Sequence, residues 1–334
     1  MQDLKNIVEK FHGKKILVVG DLIADVYLDG RISRISREAP VLILEEAGKK
    51  VVAGGAANVI ANVAQLGGEV FAVGVVGADD YADKLKEIFS GYKVNFEGLV
   101  TDSTRPTISK TRIIAGGRAT VSQQIVRIDR ESKLPLSAEI ETALIEYLKK
   151  ILPQVDGIIL SDYGAGTITD AVKNLLIQFA QENKIPNIVD SRYNIGAFAG
   201  IGYAKQNDSE LAAFVKEEIF DEATLERAGK KLLATLDSEG VLITRGERGM
   251  SLFNRDGKIF HIPVADKSEV FDVSGAGDTC VASFMLALTS GATPENSARI
   301  SNYAAGVAVR KLGTSTVNSA ELLLAMSKFL ACSL

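Results

Sequence analysis

The sequence predicts a three-layer α/β/α fold, in which helices cover both faces of a mostly parallel sheet and a small β lid is inserted. Short apolar runs such as Lys15–Gly20 and Gly157–Asp162 alternate with amphipathic stretches such as residues 171–182. Strand–helix alternation of this kind is typical of a parallel sheet covered by helices. Residues 24–52 and 105–130 interrupt the alternation with polar, strand-like segments, and they predict the lid.

The elements of the main layers follow in chain order from apolar runs and glycines. The string "AANVIANVAQLGG" predicts a helix that ends at Gly67 and Gly68, because glycine accepts the left-handed conformation at a helix C-terminus. In the second interruption, two β-branched runs flank "AGGR" and predict a hairpin. We expect one domain over residues 1–334. The other predicted strands are 15–20, 69–77, 157–162, 187–191 and 240–246, and the other predicted helices are 171–182 and 225–236.

The composition excludes several classes of protein. The 334 residues carry a net charge of −4 and no Trp, so we expect neither a nucleic-acid partner nor an anionic membrane surface. Two cysteines, Cys280 and Cys332, and two histidines, His12 and His261, do not form the spacing of a zinc site or a disulfide framework. The charged N-terminal segment lacks the apolar core of a signal peptide, and no apolar run is long enough to span a membrane. We therefore expect a soluble, cytoplasmic protein.

The segment "VFDVSGAGDTCVASFMLAL" places Gly275, Gly277 and Asp278 in front of an apolar, helix-like run. Glycine costs a helix about 1 kcal/mol relative to alanine, so propensity alone does not explain this start. A dinucleotide fingerprint needs a third glycine, and a P-loop needs GxxxxGK[ST], which the sequence lacks. Two interpretations remain: a purely structural loop, or an anion-binding helix N-terminus in which Asp278 acts as a base. The second arrangement serves phosphoryl transfer.

The motif "DVSGAGDT" resembles the signature of the PfkB/ribokinase superfamily of sugar kinases. Further features occur in the family's order: "AGGAANVIANVAQLG", "NDSE", "TRGERG", and Asn302 at 24 residues after Asp278. Other strings, among them "RPTISKTRIIA", "LSDYGAG" and "KLGTSTV", resemble the branch that phosphorylates D-glycero-β-D-manno-heptose 7-phosphate at O1. The resemblance covers nearly the whole chain. It implies a ribokinase-like fold, ATP as the phosphoryl donor, and Mg²⁺.

The resemblance also implies roles for individual residues. Asp278 would be the general base, and the backbone N–H groups of Gly275, Ala276 and Gly277 would form the anion hole. Glu210 would contact Mg²⁺ through water. The expected nucleotide-binding residues are Asn207, Glu210, Thr244, Gly246, Gly249 and Asn302. The expected substrate-binding residues are Asp21, Asp25, Gly54, Gly55, Asn58, Lys110, Arg112 and Asp162. A monovalent cation, K⁺, would be bound near Asp272, Ser274, Val309 and Gly313.

Several of these residues have a structural interpretation as well. Asn207 and Glu210 are spaced as a pair in one surface helical turn. Asp272 is a residue type that forms turns, and the sequence does not decide between a turn and a cation site. Lys110 and Arg112 alternate as they would on a solvated strand face. For these residues both interpretations stay open at the level of sequence.

Three positions depart from the heptose-kinase pattern. Ala165 stands where "SDYxKG" has lysine, "DSRY" at residues 190–193 replaces "DPKG", and Lys205 begins "KQN" where the branch has "TPN". Two lysines of the pattern are therefore missing, and Arg192 can replace one of them, with a forked rather than a point-like charge. The acceptor consequently stays open between the heptose 7-phosphate, a fructose phosphate, and an unphosphorylated pentose or hexose.

The partners expected of the chain follow from the same resemblance. If the acceptor carries a phosphate, Lys110, Arg112 and Arg192 are the cations expected to bind it. The alternative outside enzymes is a domain that senses sugar or nucleotide without catalysis. Asp278 argues against that alternative, because a binder needs no base. The lid segments of this family often pair between subunits, so a homodimer through the lid is expected by analogy.

Overall fold

The computed structural model of the chain describes residues 2–116, 122–265 and 270–332. The turn predicted at "AGGR", residues 115–118, lies partly outside the described residues. The strands are β1 (Lys15–Gly20), β2 (Leu22–Ile35), β3 (Leu42–Gly55), β4 (Glu69–Val76), β5 (Asn95–Thr101), β6 (Ile108–Gly116), β7 (Gln123–Arg130), β8 (Gly157–Asp162), β9 (Asn187–Ser191), β10 (Tyr203–Asn207), β11 (Gly240–Thr244), β12 (Met250–Asn254) and β13 (Ile259–Ile262).

Helices connect most of these strands, and most of the predicted elements are present. The strand predicted over residues 240–246 is too long, because a 3₁₀ turn begins at Gly246. The helices are α1 (Gln2–Glu9), α2 (Ala56–Gln65), α3 (Asp80–Gly91), α4 (Ala138–Ile151), α5 (Asp170–Asn183), α6 (Asp208–Val215), α7 (Glu222–Leu236), α8 (Ala276–Thr289), α9 (Pro294–Ala308) and α10 (Ser319–Cys332), with 3₁₀ helices at Leu152–Gln154, Ile195–Ala197 and Gly246–Arg248.

The main sheet has nine strands in the order β13-β12-β11-β10-β9-β8-β1-β4-β5. Neighbouring strands from β11 to β5 are parallel, and β12 and β13 are antiparallel additions at one edge. From β1 the chain passes first to β4 and β5 on one side and later to β8 on the other. The strand order therefore reverses between β1 and β8. Ligands of open α/β sheets bind at the carboxyl ends of the strands beside such a reversal.

Helices cover both faces of this sheet, as the pattern of β1 shows. Ile16 and Val18 pack into one hydrophobic cluster with α2, α8 and α9. Leu17 and Val19 pack into a second cluster with α4, α5 and α7. Successive side chains of a strand point to opposite faces, so one buried strand contributes to two cores. The three-layer fold predicted from the sequence is confirmed. None of the helices in the described residues has the length and hydropathy that a membrane span requires.

A second, four-stranded sheet has the order β3-β2-β6-β7, and we call it the lid sheet. Strands β2 and β3 overlap the segment 24–52 for which the sequence predicts a lid, and β6 and β7 lie within the predicted segment 105–130. A single residue, Asp21, separates the end of β1 from the start of β2, and β3 ends directly before α2. The other two strands lie in the connection between β5 and α4. The lid sheet is thus built from two connections of the main sheet, next to the end of β1.

Candidate active site

The site is centred on the N-terminus of α8, where the backbone geometry requires a glycine. Gly275 precedes the helix with a φ of 79°, a conformation that L side chains rarely adopt. A Cβ atom on Gly275 would lie 2.6 Å from the Asn58 Nδ2 atom of α2. The turn therefore needs glycine. The Ala276 N–H donates to the Val273 carbonyl at 3.3 Å, whereas the Gly277 N–H has no backbone partner among the described residues. Such a helix start attracts anions through these N–H groups and the helix dipole.

Asp278 lies in the first turn of α8 and is almost completely buried. The Asn58 Nδ2 atom donates to Asp278 Oδ2 at 2.8 Å, and the Tyr163 hydroxyl donates to Asp278 Oδ1 at 3.0 Å. Burial raises the pKa of Asp278 to about 7, with a further contribution from Asp190, while both donors and Lys205 oppose the rise. A carboxylate with this pKa can accept a proton near neutral pH.

Two cavities meet at the start of α8. The first, which we call the lid cavity, has a volume of about 410 Å³ and lies between the lid sheet and α8. The second, which we call the edge cavity, has a volume of about 760 Å³ and extends towards β11 and β12. Among the residues predicted to bind substrate, the lid cavity is lined by Asp25, Gly55, Lys110, Arg112 and Asp162. Among those predicted to bind nucleotide, the edge cavity is lined by Asn207, Thr244, Gly246, Gly249 and Asn302.

On the lid side, Asp25 joins the lid sheet to the loop after α9. Arg112 Nη1 donates to Asp25 Oδ1 at 2.6 Å, and Thr314 Oγ1 donates to Asp25 Oδ2 at 2.9 Å. The Thr314 backbone N–H donates to the Tyr27 hydroxyl at 3.1 Å. Gly54 is required here, because a Cβ atom would collide with the Asp25 carboxylate. Arg112, a predicted cation for a substrate phosphate, lines the lid cavity and is also ion-paired with Asp25.

Two aspartates at the strand reversal have different surroundings. Asp21 is buried behind the lid cavity and accepts backbone N–H groups of Tyr163, Ala165 and Thr167 at 2.9–3.1 Å. It therefore fixes the loop after β8 and does not line either cavity. Asp162 does line the lid cavity, and burial raises its pKa although the Ser191 hydroxyl donates to it at 2.6 Å.

Asn207 and Glu210 form a capping box at the start of α6. Asn207 Oδ1 accepts the Glu210 N–H at 2.7 Å, and Glu210 Oε2 accepts the Asn207 N–H at 2.8 Å. Glu210 lines the lid cavity rather than the edge cavity, and burial raises its pKa. Its Oε1 atom has no hydrogen bond among the described residues. A carboxylate that lines a cavity fits Mg²⁺, which keeps most of its waters and uses few protein ligands. The described residues hold no cluster of three metal-ligating side chains.

The residues predicted to bind a monovalent cation do lie together. Asp272 accepts the N–H groups of Ser274 at 2.8 Å and Gly313 at 3.0 Å. The Val309 carbonyl accepts the Asp272 N–H at 3.2 Å. Partial burial acts against ionisation of Asp272, but the N–H donors hold its pKa below the usual value. These contacts account for Asp272 as a turn residue, and K⁺ binding stays a prediction.

The comparison with known families agrees with this geometry. The sequence profile "pfkB family carbohydrate kinase" matches residues 13–321. This chain belongs to the pfkB family. Among curated pfkB relatives, the bifunctional protein HldE of Geobacter metallireducens is 44% identical over 96% of this chain, and that of Pelobacter propionicus is 39% identical over 98%. The chain spans just under two thirds of these relatives, 65% and 66% of their lengths.

Solved structures of other sugar kinases share the fold of this pfkB chain. Arabidopsis thaliana ribokinase, solved with ribose and ATP, matches with a TM-score of 0.74 and 19% identity, over 94% of this chain and 99% of that chain. Escherichia coli phosphofructokinase-2, solved with fructose-6-phosphate, matches with a TM-score of 0.73 and 19% identity, over 96% and 99%. The ribokinase-like fold predicted from the resemblance is confirmed.

Four residues of this pfkB site were given no site role by sequence reasoning. Tyr163 contacts the Asp278 carboxylate, Lys205 and Arg127 line the cavities, and Thr314 contacts Asp25. For each of them, the sequence contains a feature that could have indicated a role in the site. Tyr163 follows the last residue of β8, Lys205 lies two residues before Asn207, and Thr314 lies in "KLGTSTV". For Arg127, the only indication in the sequence was its location in the predicted lid segment 105–130.

Proposed function

We propose that this chain catalyses the ATP-dependent phosphorylation of a sugar phosphate, with D-glycero-β-D-manno-heptose 7-phosphate as the leading acceptor and O1 as its reacting hydroxyl. The observation that carries the proposal is the position of Asp278. This base lines the lid cavity, and the preceding Gly277 lines both cavities. A phosphoryl group bound at the helix start can therefore be reached from a donor on one side and an acceptor on the other.

ATP binds in the edge cavity in this proposal. Thr244, Gly246 and Gly249 line one wall, and Asn302 lines another. The Asn302 amide donates to the Pro263 carbonyl at 2.6 Å, so its side chain has a fixed orientation. The triphosphate would extend towards Gly277, with Mg²⁺ held by the phosphates, by water and by Glu210. The metal would offset the negative charge of the phosphates.

The acceptor binds in the lid cavity with its reacting hydroxyl at Asp278. Asp278 takes the hydroxyl proton, the acceptor oxygen forms a bond to the γ-phosphorus, and the bond from that phosphorus to the bridging oxygen of ADP breaks. The Gly277 N–H donates to the transferred phosphoryl group, and the Ala276 N–H joins it in place of its 3.3 Å bond to the Val273 carbonyl, so that both stabilise the charge. The lid sheet would keep water away from the reacting atoms, a role that stays a prediction.

A cationic wall of the lid cavity supports a phosphorylated acceptor. Lys110, Arg127 and Arg192 line this cavity. Burial lowers the pKa of Lys110, and the positive charge of Arg192 lowers it further. Neither Lys110 nor Arg192 forms an ion pair within the described ranges, whereas Arg127 pairs with Asp129 at 2.8 Å. A phosphate dianion would relieve this repulsion through charge-assisted hydrogen bonds.

Two finer features belong to the proposal. A monovalent cation, K⁺, would bind beside the loop that contains Asp272 and Gly313, as the resemblance implies. A second copy of the chain would pair with the lid sheet. Support for pairing comes from its exposed apolar side chains, which include Ile35 at 65%, Val126 at 45% and Ile128 at 55% exposure.

The test is ADP release by the purified chain over a panel of sugars and sugar phosphates. We expect the heptose 7-phosphate to give the highest kcat/KM, and the product to carry a new phosphate at O1. A higher kcat/KM for a fructose phosphate would change the acceptor and keep the chemistry. A preference for unphosphorylated sugars would contradict the role of the cationic wall, and no ADP release with any acceptor would contradict the function.

A further inference from the structure

Lys205 is a buried lysine for which the fold alone gives no reason. It lies on β10 in the interior of the main sheet, and only 5% of its surface is exposed. Its ammonium donates to Asp190 Oδ2 at 2.9 Å. The two residues are directly opposite each other on the parallel strands β10 and β9. Replacing a buried ion pair by apolar residues is often neutral or stabilising, so such a pair is weak support for a purely structural role.

The charge of Lys205 is permanent at physiological pH. Burial acts to lower the pKa of a lysine, yet the carboxylates of Asp190 and Glu210 raise the pKa of Lys205 above its usual value. The ammonium therefore stays protonated while Asp278, with its pKa of about 7, changes its protonation state. It can act as a donor and a positive charge, but not as an acid or a base.

Lys205 lies where the lid cavity and the edge cavity meet. It lines both, and in the described part of the chain it is the only charged residue that does so. The other cation of the edge cavity, Arg248, is paired with Asp208 at 2.9 Å. A Cβ atom added to Gly277 would lie 2.8 Å from the Lys205 Nζ atom, so the ammonium packs against the anion-binding turn.

We infer that Lys205 contacts the γ-phosphoryl group during transfer and that Asp190 positions the lysine for this contact. The inference rests on the proposed function and adds a charged donor to the backbone N–H groups of α8. As the bond to ADP breaks and the bond to the acceptor forms, Lys205 Nζ donates to a non-bridging phosphoryl oxygen and keeps its own proton. The acceptor proton still goes to Asp278.

This contact explains two of the positions at which the sequence departs from the heptose-kinase pattern. The loop after β9 lacks the lysine of "DPKG", and β10 carries Lys205 where the heptose-kinase pattern has threonine. Lys205 on β10 and Asp190 on β9 are cross-strand neighbours. The lysine that the pattern has after β9 is therefore absent, but Lys205 supplies a positive charge from the adjacent strand. The positive charge at the phosphates is therefore supplied from the strand and not from the loop, which leaves Arg192 available to the acceptor.

The variants are Lys205→Met, and Lys205→Met combined with Asp190→Asn. The double variant removes both charges of the ion pair, so that Asp190 is not left without its partner, and it tests the lysine if the single variant fails to fold. We expect kcat to fall by about 10²–10³-fold in both, as when one preorganised donor to a transition state is removed. Lys173→Met is the matched control, because Lys173 is also largely buried and ion-paired but lines neither cavity. Its kcat should match the wild type.

A binding measurement separates contact with the γ-phosphate from a structural role and needs no acceptor. We expect the affinity for the imido-bridged, non-hydrolysable ATP analogue to fall about tenfold or more in the double variant, and that for ADP to change by less than about threefold. Equal changes for both nucleotides, or a kcat within about threefold of wild type, would overturn the inference. If the wild type phosphorylates no acceptor, the proposed function fails, and the nucleotide comparison still decides the role of Lys205.

Discussion

Replacing Tyr163 by phenylalanine is expected to move the acidic limb of the pH–rate profile to higher pH. The Tyr163 hydroxyl donates to Asp278 Oδ1 at 3.0 Å and stabilises the ionised carboxylate. Without this donor the pKa of Asp278, now about 7, must rise. The base works only when it is deprotonated. Activity is therefore lost as the pH falls through that pKa, and the variant should lose it at a higher pH.

The size of the shift follows from the hydrogen bond. A hydrogen bond to a charged group contributes about 1.5–3 kcal/mol. One pKa unit corresponds to about 1.4 kcal/mol, so the pKa of Asp278 should rise by about 1–2 units. At neutral pH the deprotonated fraction would then fall from about half to roughly one tenth or less. The rate on the alkaline plateau should change much less, because the anion hole is untouched.

The assay is kcat and kcat/KM from about pH 5 to about pH 9, with ADP quantified directly so that no coupling enzyme limits the rate. Tyr203→Phe is the matched control, because Tyr203 is partly buried against Phe284 and lines neither cavity. Its profile should equal that of the wild type. The reasoning is refuted if Tyr163→Phe keeps the wild-type midpoint, or if its rate falls by the same factor at every pH.

Further substitutions test the other contacts of the site. Asp278→Asn should lower kcat by about 10²–10⁴-fold and leave ADP affinity unchanged in a binding titration; turnover near that of the wild type would exclude Asp278 as the base. Lys110→Met should raise KM about tenfold or more for a phosphorylated acceptor only, measured beside its unphosphorylated analogue. Arg112→Ala should raise both KM values alike, since Arg112 holds Asp25, and an effect confined to the phosphorylated acceptor would contradict this. Gly275→Ala should cost about 1–3 kcal/mol in a denaturant melt, because alanine is strained at a φ of 79°, and an unchanged midpoint would contradict that strain.

The sequence was informative wherever one residue type had to occupy one backbone position. Gly275 needs a positive φ, and Gly54 needs to be without a Cβ atom beside Asp25, so both carry a readable signal. The alternation of Ile16 and Leu17 between two cores likewise follows from strand geometry. These local requirements made the layers and the start of α8 predictable from the sequence.

Contacts between distant segments were not predictable in the same way. The partner of Arg112 depends on the register of β2 and β6, which the sequence does not specify. The role of Asp21 depends on the path of the loop after β8, whose N–H groups it accepts. In the sequence, Lys205 is only a departure from the threonine of the heptose-kinase motif. Its partner Asp190 follows from the pairing of β10 with β9. Charge partners across strands thus decide which cations are available to a ligand, and a linear motif does not contain that information.

Under the proposed function, the arrangement of the site would allow the acceptor to change without loss of the chemistry. Asp278 and its anion-binding turn belong to α8, and Asn58 on α2 supports them from the same side. The departures from the heptose-kinase pattern lie at or after the ends of β8, β9 and β10, and Arg192 and Lys205 among them contribute to one wall of the lid cavity. One of them, Lys205, lines both cavities, while Arg192 lines only the lid cavity. Substitutions on that wall alter the charges that an acceptor meets, while the base and the N–H donors keep their positions.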